Sequence, residues 1–467
     1  MINSSWFSNF LISKKTYNTL IVLNIIVGFV IFKLSTTIRF PDSTDYWYLG
    51  ESILHGKFSS WYFLAKYYPE TLRTPGYPLF LSFLQLFSDS QLVPELLQLI
   101  IYGLCIFLCL QIIKKISNSQ STINLFLLLL LPNIQVVYYT GCISAEILNV
   151  LFVLLTIYLI TCNRGILNSI LLALCTYGAF IVRPSFLLFP FVLFVYFLIV
   201  NKRDFKYAST FIVAYILLLI PFGIWNKTNH GLFKVTPLEG GAGVAHMGFW
   251  QLKLPDGYWE SFYFGNVMVP DLTKPPLYTK EELADNVKKF ESEAAVLTAK
   301  QNVFLAREDS AYLAYMSTQR LGLILTHNSR YTIEREKIIW KEVIENVKEE
   351  PGYYLISRCY HLFKAYVTGI NYITLAQTHS ILGKIKLIYP FVVTLIFIFC
   401  GLLYITISTI LSKKYFPYQW ILIFLCWYYG VVHLPFTMQS RYTIPVHLLI
   451  LVLLSLMISK KIKTHNE

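Results

Sequence analysis

Charge is what this chain has least of. Only 14% of its 467 residues are Asp, Glu, Lys or Arg, against about a quarter in an ordinary soluble domain. Apolar residues make up 55% of the chain and the mean hydropathy is +0.54. A water-soluble core cannot hide that much apolar surface, so the composition excludes a soluble protein and leaves a polytopic membrane protein. Metal and disulfide chemistry are poorly provided for as well. Of eight cysteines, seven lie in or at the ends of apolar runs, and only Cys359 sits in a polar stretch. No CxxC pair occurs, so neither a zinc site nor a disulfide framework is expected. Cys105 and Cys109 share a helix face and read as small apolar packing. His55, His246 and His361 lack metal-ligand spacing. The glycine-rich run EGGAGVAHMG (239–248) lacks the lysine and the strand–helix setting of a phosphate loop. It reads either as a flexible loop that orders over a ligand or as an ordinary turn. No cleavage site follows the apolar run Leu20–Phe32, so a retained first helix is expected rather than a signal peptide. There is no internal repeat at a fixed period.

What is present is a series of ten apolar runs, each near the roughly 20 helical residues that cross a ~30 Å hydrocarbon core. They fall at about 17–37, 92–113, 121–139, 143–162, 165–182, 185–201, 207–225, 384–411, 417–436 and 443–460. With the N-terminus inside, the inner loops hold Lys14, Lys15, Lys114, Lys115, Arg164, Lys202, Arg203, Lys206, Lys413, Lys414, Lys460, Lys461 and Lys463. Those thirteen bases face only Asp204 and Glu467, a surplus of eleven in a chain whose net charge is +13. The positive-inside rule therefore accounts for the basic balance, and no nucleic acid is required. The expected organisation is an N-terminal transmembrane module over 1–225 with its first outer loop at 38–78, a large outer loop domain over 226–382, and C-terminal helices over 383–467. The large loop carries 17 bases and 17 acids. It is too long for an idle connection. Helical periodicity over 280–320 and 330–350, carried in part by Ile333, Ile338, Ile339, Val343 and Ile344, predicts a small helical outer domain, broken at Pro351-Gly352. The aromatic-rich stretch from Tyr353 to Tyr372 is expected in the membrane interface. The segment Leu79–Phe87 is too short to span and reads as a half-inserted helix behind Pro75-Gly76-Tyr77-Pro78.

This topology isolates a set of charges at the outer rim: Arg39, Asp42, Asp45, Arg73, Glu146, Arg183 and Arg441. Rim and intramembrane charges are costly, so they are functional candidates. Asp42, Asp45 and Tyr46 have helical spacing in PDSTDYWYLG. Asp42 reads either as a helix cap beside a surface acid or as a carboxylate aimed at the bundle mouth as a general base. Arg73 in LRTPGYP is presented from a rigid turn, either to lipid headgroups or to a bound anion. Arg183-Pro184 and Arg441-Tyr442 carry two more guanidiniums on the side where bases are disfavoured, a pattern suited to phosphate. Glu146 in GCISAEIL sits in a first helical turn, where the dipole alone favours it. It is also a candidate to orient the arginines or contact a sugar. Tyr46, Tyr77, Tyr442 and His55 are candidate substrate contacts.

In the order PDSTDY, RTPGYPLF, SAEIL, RP, WNKTNHGLF and QSRYTIP, the chain resembles the membrane glycosyltransferases of the GT-C fold. That group contains the protein O-mannosyltransferases and the aminoarabinose transferase of lipid A. The resemblance covers most of the transmembrane chain and implies an all-α polytopic GT-C fold with short outer juxtamembrane helices. It implies a polyprenyl-phosphate-sugar donor, with transfer to a glycan, lipid or protein acceptor on the periplasmic face of a bacterial inner membrane, both termini being cytoplasmic. Asp42 matches the family's catalytic acid, and Arg73 falls near the lipid phosphate. The sequence departs from the pattern at Ser43, where many relatives carry a second acid, and at Arg73-Thr74-Pro75, which replaces the His-Pro-Pro of protein mannosyltransferases.

The expected reaction is a single inverting displacement. Asp42 takes the acceptor proton, Arg73, Arg441 and Arg183 hold the departing phosphate, and Asp45 and Glu146 position their neighbours. No cofactor is required; a divalent cation bridging Asp42 and phosphate is compatible with the sequence but not called for by it. An O-antigen ligase or polymerase would place its key residues mainly in the large loop. A lipid-linked-sugar transporter would place polar groups at mid-span, where this chain is almost wholly apolar.

Overall fold

A computed structural model describes residues 9–36, 41–60, 62, 67–200, 205–255, 277–305, 329–369, 378–412 and 418–466. Among these residues all regular secondary structure is helical, with no strand. Among the described residues five helices are long and apolar enough to cross a membrane: Lys14–Ser35, Leu92–Ile116, Phe205–His230, Ile381–Leu411 and Ser440–Ile462. A sixth candidate is the pair Gln120–Leu130 and Gln135–Gly141, bent by 54°. The bend falls at Pro132, which can neither donate to the preceding turn nor fit beneath it. The other apolar runs form the shorter helices Glu146–Ile160, Ile166–Val182, Pro184–Val200 and Gln419–Val431. All ten runs are thus helical, but four stop short of spanning length; a helix of 15 residues such as Glu146–Ile160 rises only about 22 Å. Local chemistry sets these ends. Arg183 is held extended (φ −141°, ψ 116°), as a residue before proline prefers, and that closes the preceding helix.

The last helix is the axis of the bundle. Every residue from Thr443 to Leu456 is buried. The first helix lies at the edge, with Val22, Ile25, Ile26, Phe29 and Val30 all more than half exposed. The short helix Gly76–Gln85 likewise exposes Leu79 and Phe83, followed by Leu86 and Phe87. Contiguous apolar surface of this kind fits lipid rather than water.

Charge separates to the two ends. At one end Asn124 donates to Leu11 O (2.7 Å) and Thr122 to Ser459 Oγ (2.8 Å). The bases Lys115, Arg164 and Lys461 lie over the rings of Tyr158, Phe197 and Tyr404 at 5.1, 5.4 and 5.3 Å. Asp42, Arg73, Glu146, Arg183 and Arg441 gather at the opposite end, where the helix Glu146–Ile160 begins.

The segment between His230 and Ile381 contributes the helices Ala242–Trp250, Lys280–Leu305, Ser329–Glu349 and Pro351–Tyr366. The periodicity over 280–320 and 330–350 corresponds to the second and third of these; residues 306–320 lie outside the described residues, as do 370–372 of the aromatic-rich stretch. The expected break at Pro351-Gly352 separates the third helix from the fourth, which Pro351 opens, since the first turn needs no N–H. Ile339 and Val343 bury against Ala242 and Ala245, but Ile344 is half exposed. Glu293 ties three helices together, accepting from His246, from Trp250 Nε1 (3.2 Å) and from Asn346 Nδ2 (3.0 Å).

The glycine-rich run differs from both readings of the sequence, since from Ala242 it is a helix buried except around Val244. Gly241 supplies the left-handed residue before it (φ 89°), and Glu336 accepts from Gly240 N (2.7 Å) and Ala242 N (3.2 Å). The segment acts as a strap. Glu239 N donates to Thr71 O (3.0 Å), and Thr437 N donates to Val244 O (2.8 Å). Gln251 and Met438 exchange two hydrogen bonds (2.9 and 3.3 Å). A Cβ on Gly248 would sit 2.5 Å from Phe436 C, a backbone atom that cannot swing away. Gly248→Ala should therefore destabilise the protein by about 1–3 kcal/mol, read as a lower midpoint of thermal unfolding. An unchanged midpoint would mean the strap does not bear on that backbone.

Candidate active site

The helix Pro41–Leu54 begins at Pro41, whose missing N–H costs nothing in a first turn. Asp42 is therefore inside the helix rather than its cap, which corrects the capping reading. Its neighbour Ser43 fixes the helix to the bundle by donating to Ile143 O (2.9 Å). The Arg73 turn is organised by Glu70, which is buried. Glu70 Oε1 accepts from Leu72 N (2.9 Å) and Arg73 N (3.1 Å), and Oε2 from Ser60 Oγ (3.1 Å). A Cβ on Gly76 would lie 2.5 Å from Ile181 O, so only glycine lets this turn press against the chain that leads into Arg183. Arg441 comes from the tight turn Ser440–Thr443 that opens the axial helix.

These turns converge on one carboxylate. Arg73 Nη2 is 2.6 Å from Asp42 Oδ1, and Arg441 Nη2 is 3.1 Å from Asp42 Oδ2. Asp42 is about a quarter exposed (26%), and the two arginines are less so, at 20% and 16%. Arg73 also lies 3.7 Å from the half-exposed Asp45. Its guanidinium sits over the Tyr46 ring at 5.1 Å, and that ring meets Tyr77 edge-on at 4.9 Å. Tyr77 in turn donates to Gln98 Oε1 (2.9 Å), whose amide holds the Thr140 and Cys142 carbonyls (3.0 and 2.8 Å). Glu146, with only 1% of its side chain exposed, pairs with Arg183. Arg183 and Arg441 lie near enough for their like charges to repel.

Burial alone would push the Asp42 carboxyl up; Arg73 and then Arg441 outweigh it and hold the group well below the usual carboxylate range. Each arginine is thus matched by a carboxylate, and the three acids Asp42, Asp45 and Glu146 balance the three guanidiniums. Two donors remain over. The Nε atoms of Arg73 and Arg183 are buried with no hydrogen-bond partner among the described residues.

The structure therefore brings together Asp42, Asp45, Glu146, Arg73, Arg183, Arg441, Tyr46, Tyr77 and Tyr442. It does not bring in His55. That residue follows the far end of the Asp42 helix, about 20 Å along the axis, exposed and stacked on Tyr62 at 5.1 Å. Arg39 lies outside the described residues. Among those described, no group of three His, Cys, Asp or Glu is arranged to hold a metal ion.

Four residues escape a reading of the sequence. Glu70 and Gln98 set the backbone around Arg73 and Glu146. Asn149 links three helices, accepting from Tyr429 OH and donating to Ala179 O, both at 2.8 Å. His433 stacks on Tyr442 at 4.5 Å, and its Nδ1 lies 2.7 Å from Tyr429 O. A carbonyl only accepts, so Nδ1 carries the proton. Polar residues inside apolar runs were the available signal for Gln98 and Asn149; a lone glutamate or histidine at a turn offers none.

The ion triad implies a pH dependence. The unfolded Asp42 carboxyl titrates near 4 and the folded one well below, so its contribution is complete above the unfolded value and disappears as pH falls through the folded one. The stability difference between wild type and Asp42→Asn should be level from pH 8 to about 5 and shrink below about 4. A difference that grows on acidification would contradict the pairing.

No protein-family model, no curated protein and no solved structure matches this chain.

Proposed function

We propose that the protein is an integral membrane glycosyltransferase that moves a sugar from a polyprenyl-phosphate donor to an acceptor on the outer face of the membrane. The observation that carries this reading is the convergence of Arg73 and Arg441 on Asp42, with the Arg183–Glu146 pair beside them, at the end of the bundle away from the basic residues. By the positive-inside rule the basic end is cytoplasmic, which turns the cluster outward. Three guanidiniums suit a phosphate leaving group, which needs preorganised positive charge as its own negative charge grows. The exposed apolar helix faces beside the cluster suit an isoprenoid chain.

In the proposed reaction an acceptor hydroxyl or amine attacks the anomeric carbon. Its proton passes to an Asp42 carboxylate oxygen as the new bond forms. The bond from the anomeric carbon to the phosphate oxygen breaks on the opposite side, and the electron pair leaves with the polyprenyl phosphate held by the arginines. Configuration inverts. A second carboxyl to protonate the leaving group, as in a glycosidase, is unnecessary because phosphate leaves as an anion.

The test compares purified wild type with Asp42→Asn on a panel of undecaprenyl-phosphate sugars, with cell-envelope glycans and lipids as acceptors, following release of undecaprenyl phosphate. Wild type should turn over at least one donor, and the variant should lose about 10²–10⁴-fold, the span of a general base. Equal rates would remove Asp42 from the chemistry. Arg73→Ala should impair donor use more than acceptor use; a loss confined to the acceptor would take Arg73 away from the phosphate.

A further inference from the structure

The resting geometry contains a conflict. Asp42 Oδ1 accepts from Arg73 and Oδ2 from Arg441; each oxygen keeps a second lone pair, but a base must take up a proton, and two guanidiniums on the carboxylate oppose that. The two groups expected to hold the leaving phosphate are the same two that occupy the expected base. We propose that Asp42 is the resting occupant of the phosphate position, and that the donor phosphate displaces it and thereby makes it the base. This rests on the glycosyl-transfer reading above and adds its control: donor binding precedes activation of the acceptor.

Three features favour exchange. The first is shape. Asp42 spans the two guanidiniums with one oxygen on each, and a phosphate presents the same pair of oxygens with more charge. The second is donor count. Arg73 Nη2 is used, but its Nε, on the same edge of the guanidinium, is buried without a partner among the described residues. Arg183 repeats the pattern, with Nη2 on Glu146 and Nε unpartnered. A carboxylate has two oxygens, both already engaged; a phosphate brings further oxygens to those edges, and arginine favours such two-point contacts. The third is that Arg73 does not need Asp42 to stay in place. Its backbone is held by Glu70 and its guanidinium lies over Tyr46.

Asp42 can move while Arg73 stays. It is on the first turn of its helix and partly exposed, whereas Arg73 is built into a turn that the strap grips at Thr71. Once released, Asp42 loses both guanidiniums that suppress its basicity, and it is already partly open to solvent. The half-exposed Asp45 lies near enough to Arg73 to oppose its return.

The experiment measures binding of undecaprenyl phosphate, the donor without its sugar, to the full-length protein in nanodiscs. Asp42→Asn removes the internal competitor, so it should bind the lipid phosphate at least about tenfold more tightly than wild type while failing to transfer sugar. Adding Arg73→Gln should abolish the gain. Equal or weaker binding by Asp42→Asn would overturn the displacement while leaving the glycosyltransferase reading intact. Binding by neither protein would overturn the lipid-phosphate reading and the displacement with it. If Asp42→Asn does not fold, isotope-edited infrared spectra of wild type labelled at aspartate answer the same question. Adding undecaprenyl phosphate should shift one carboxylate band from its guanidinium-paired position to that of a free carboxylate; an unshifted band would overturn the proposal.

Discussion

The structure turns on a carboxylate held between two guanidiniums that lie far apart in the chain. Asp42 meets an arginine 31 residues away and another 399 residues away. One acid thus joins the first connecting segment to the turn that opens the axial helix. An ion pair so placed needs both guanidiniums, since each compensates for desolvating the other partners, and losing one member leaves a buried charge uncompensated. The neighbouring Glu146–Arg183 pair repeats the arrangement between two further helices.

The scaffold around this cluster explains how short helices still form a rigid mouth. One helix starts at Glu146 and the next ends just before Arg183, and the pair of these two residues joins those ends. Asn149 and Tyr429 lock them to the helix Gln419–Val431. The strap around Ala242–Trp250 grips the backbone at Thr71 on one side and at Thr437 and Met438 on the other. It therefore sets the distance between the two arginine-bearing turns. The glycines at 76 and 248 serve this closeness, because each lies against backbone that a side chain would displace.

Much of the site was legible because charge is scarce. In a chain this apolar each rim charge must have a reason, and nine of the eleven candidate residues gather in one cluster, Arg39 lying outside the described residues. His55 lies apart from the cluster, because period alone does not say how far along a helix a residue sits. The glycine-rich run failed because glycine was read as freedom, whereas here it permits close contact. The electrostatic state was also illegible. The three arginines suit a bound phosphate in the sequence, yet in the folded protein Asp42 pairs with Arg73 and Arg441 and Glu146 pairs with Arg183.

Composition and periodicity by themselves determined that the chain is an all-helical membrane protein, where its apolar helices run, and that its bases collect at one end. These follow from local physics: transfer of side chains out of water, backbone hydrogen bonding and proline geometry. Tertiary structure alone decided which apolar runs reach spanning length, that the large segment straps two turns together, and that Asp42 rests between Arg73 and Arg441. Those are distances between residues hundreds of positions apart, set by packing, and no sequence pattern records them.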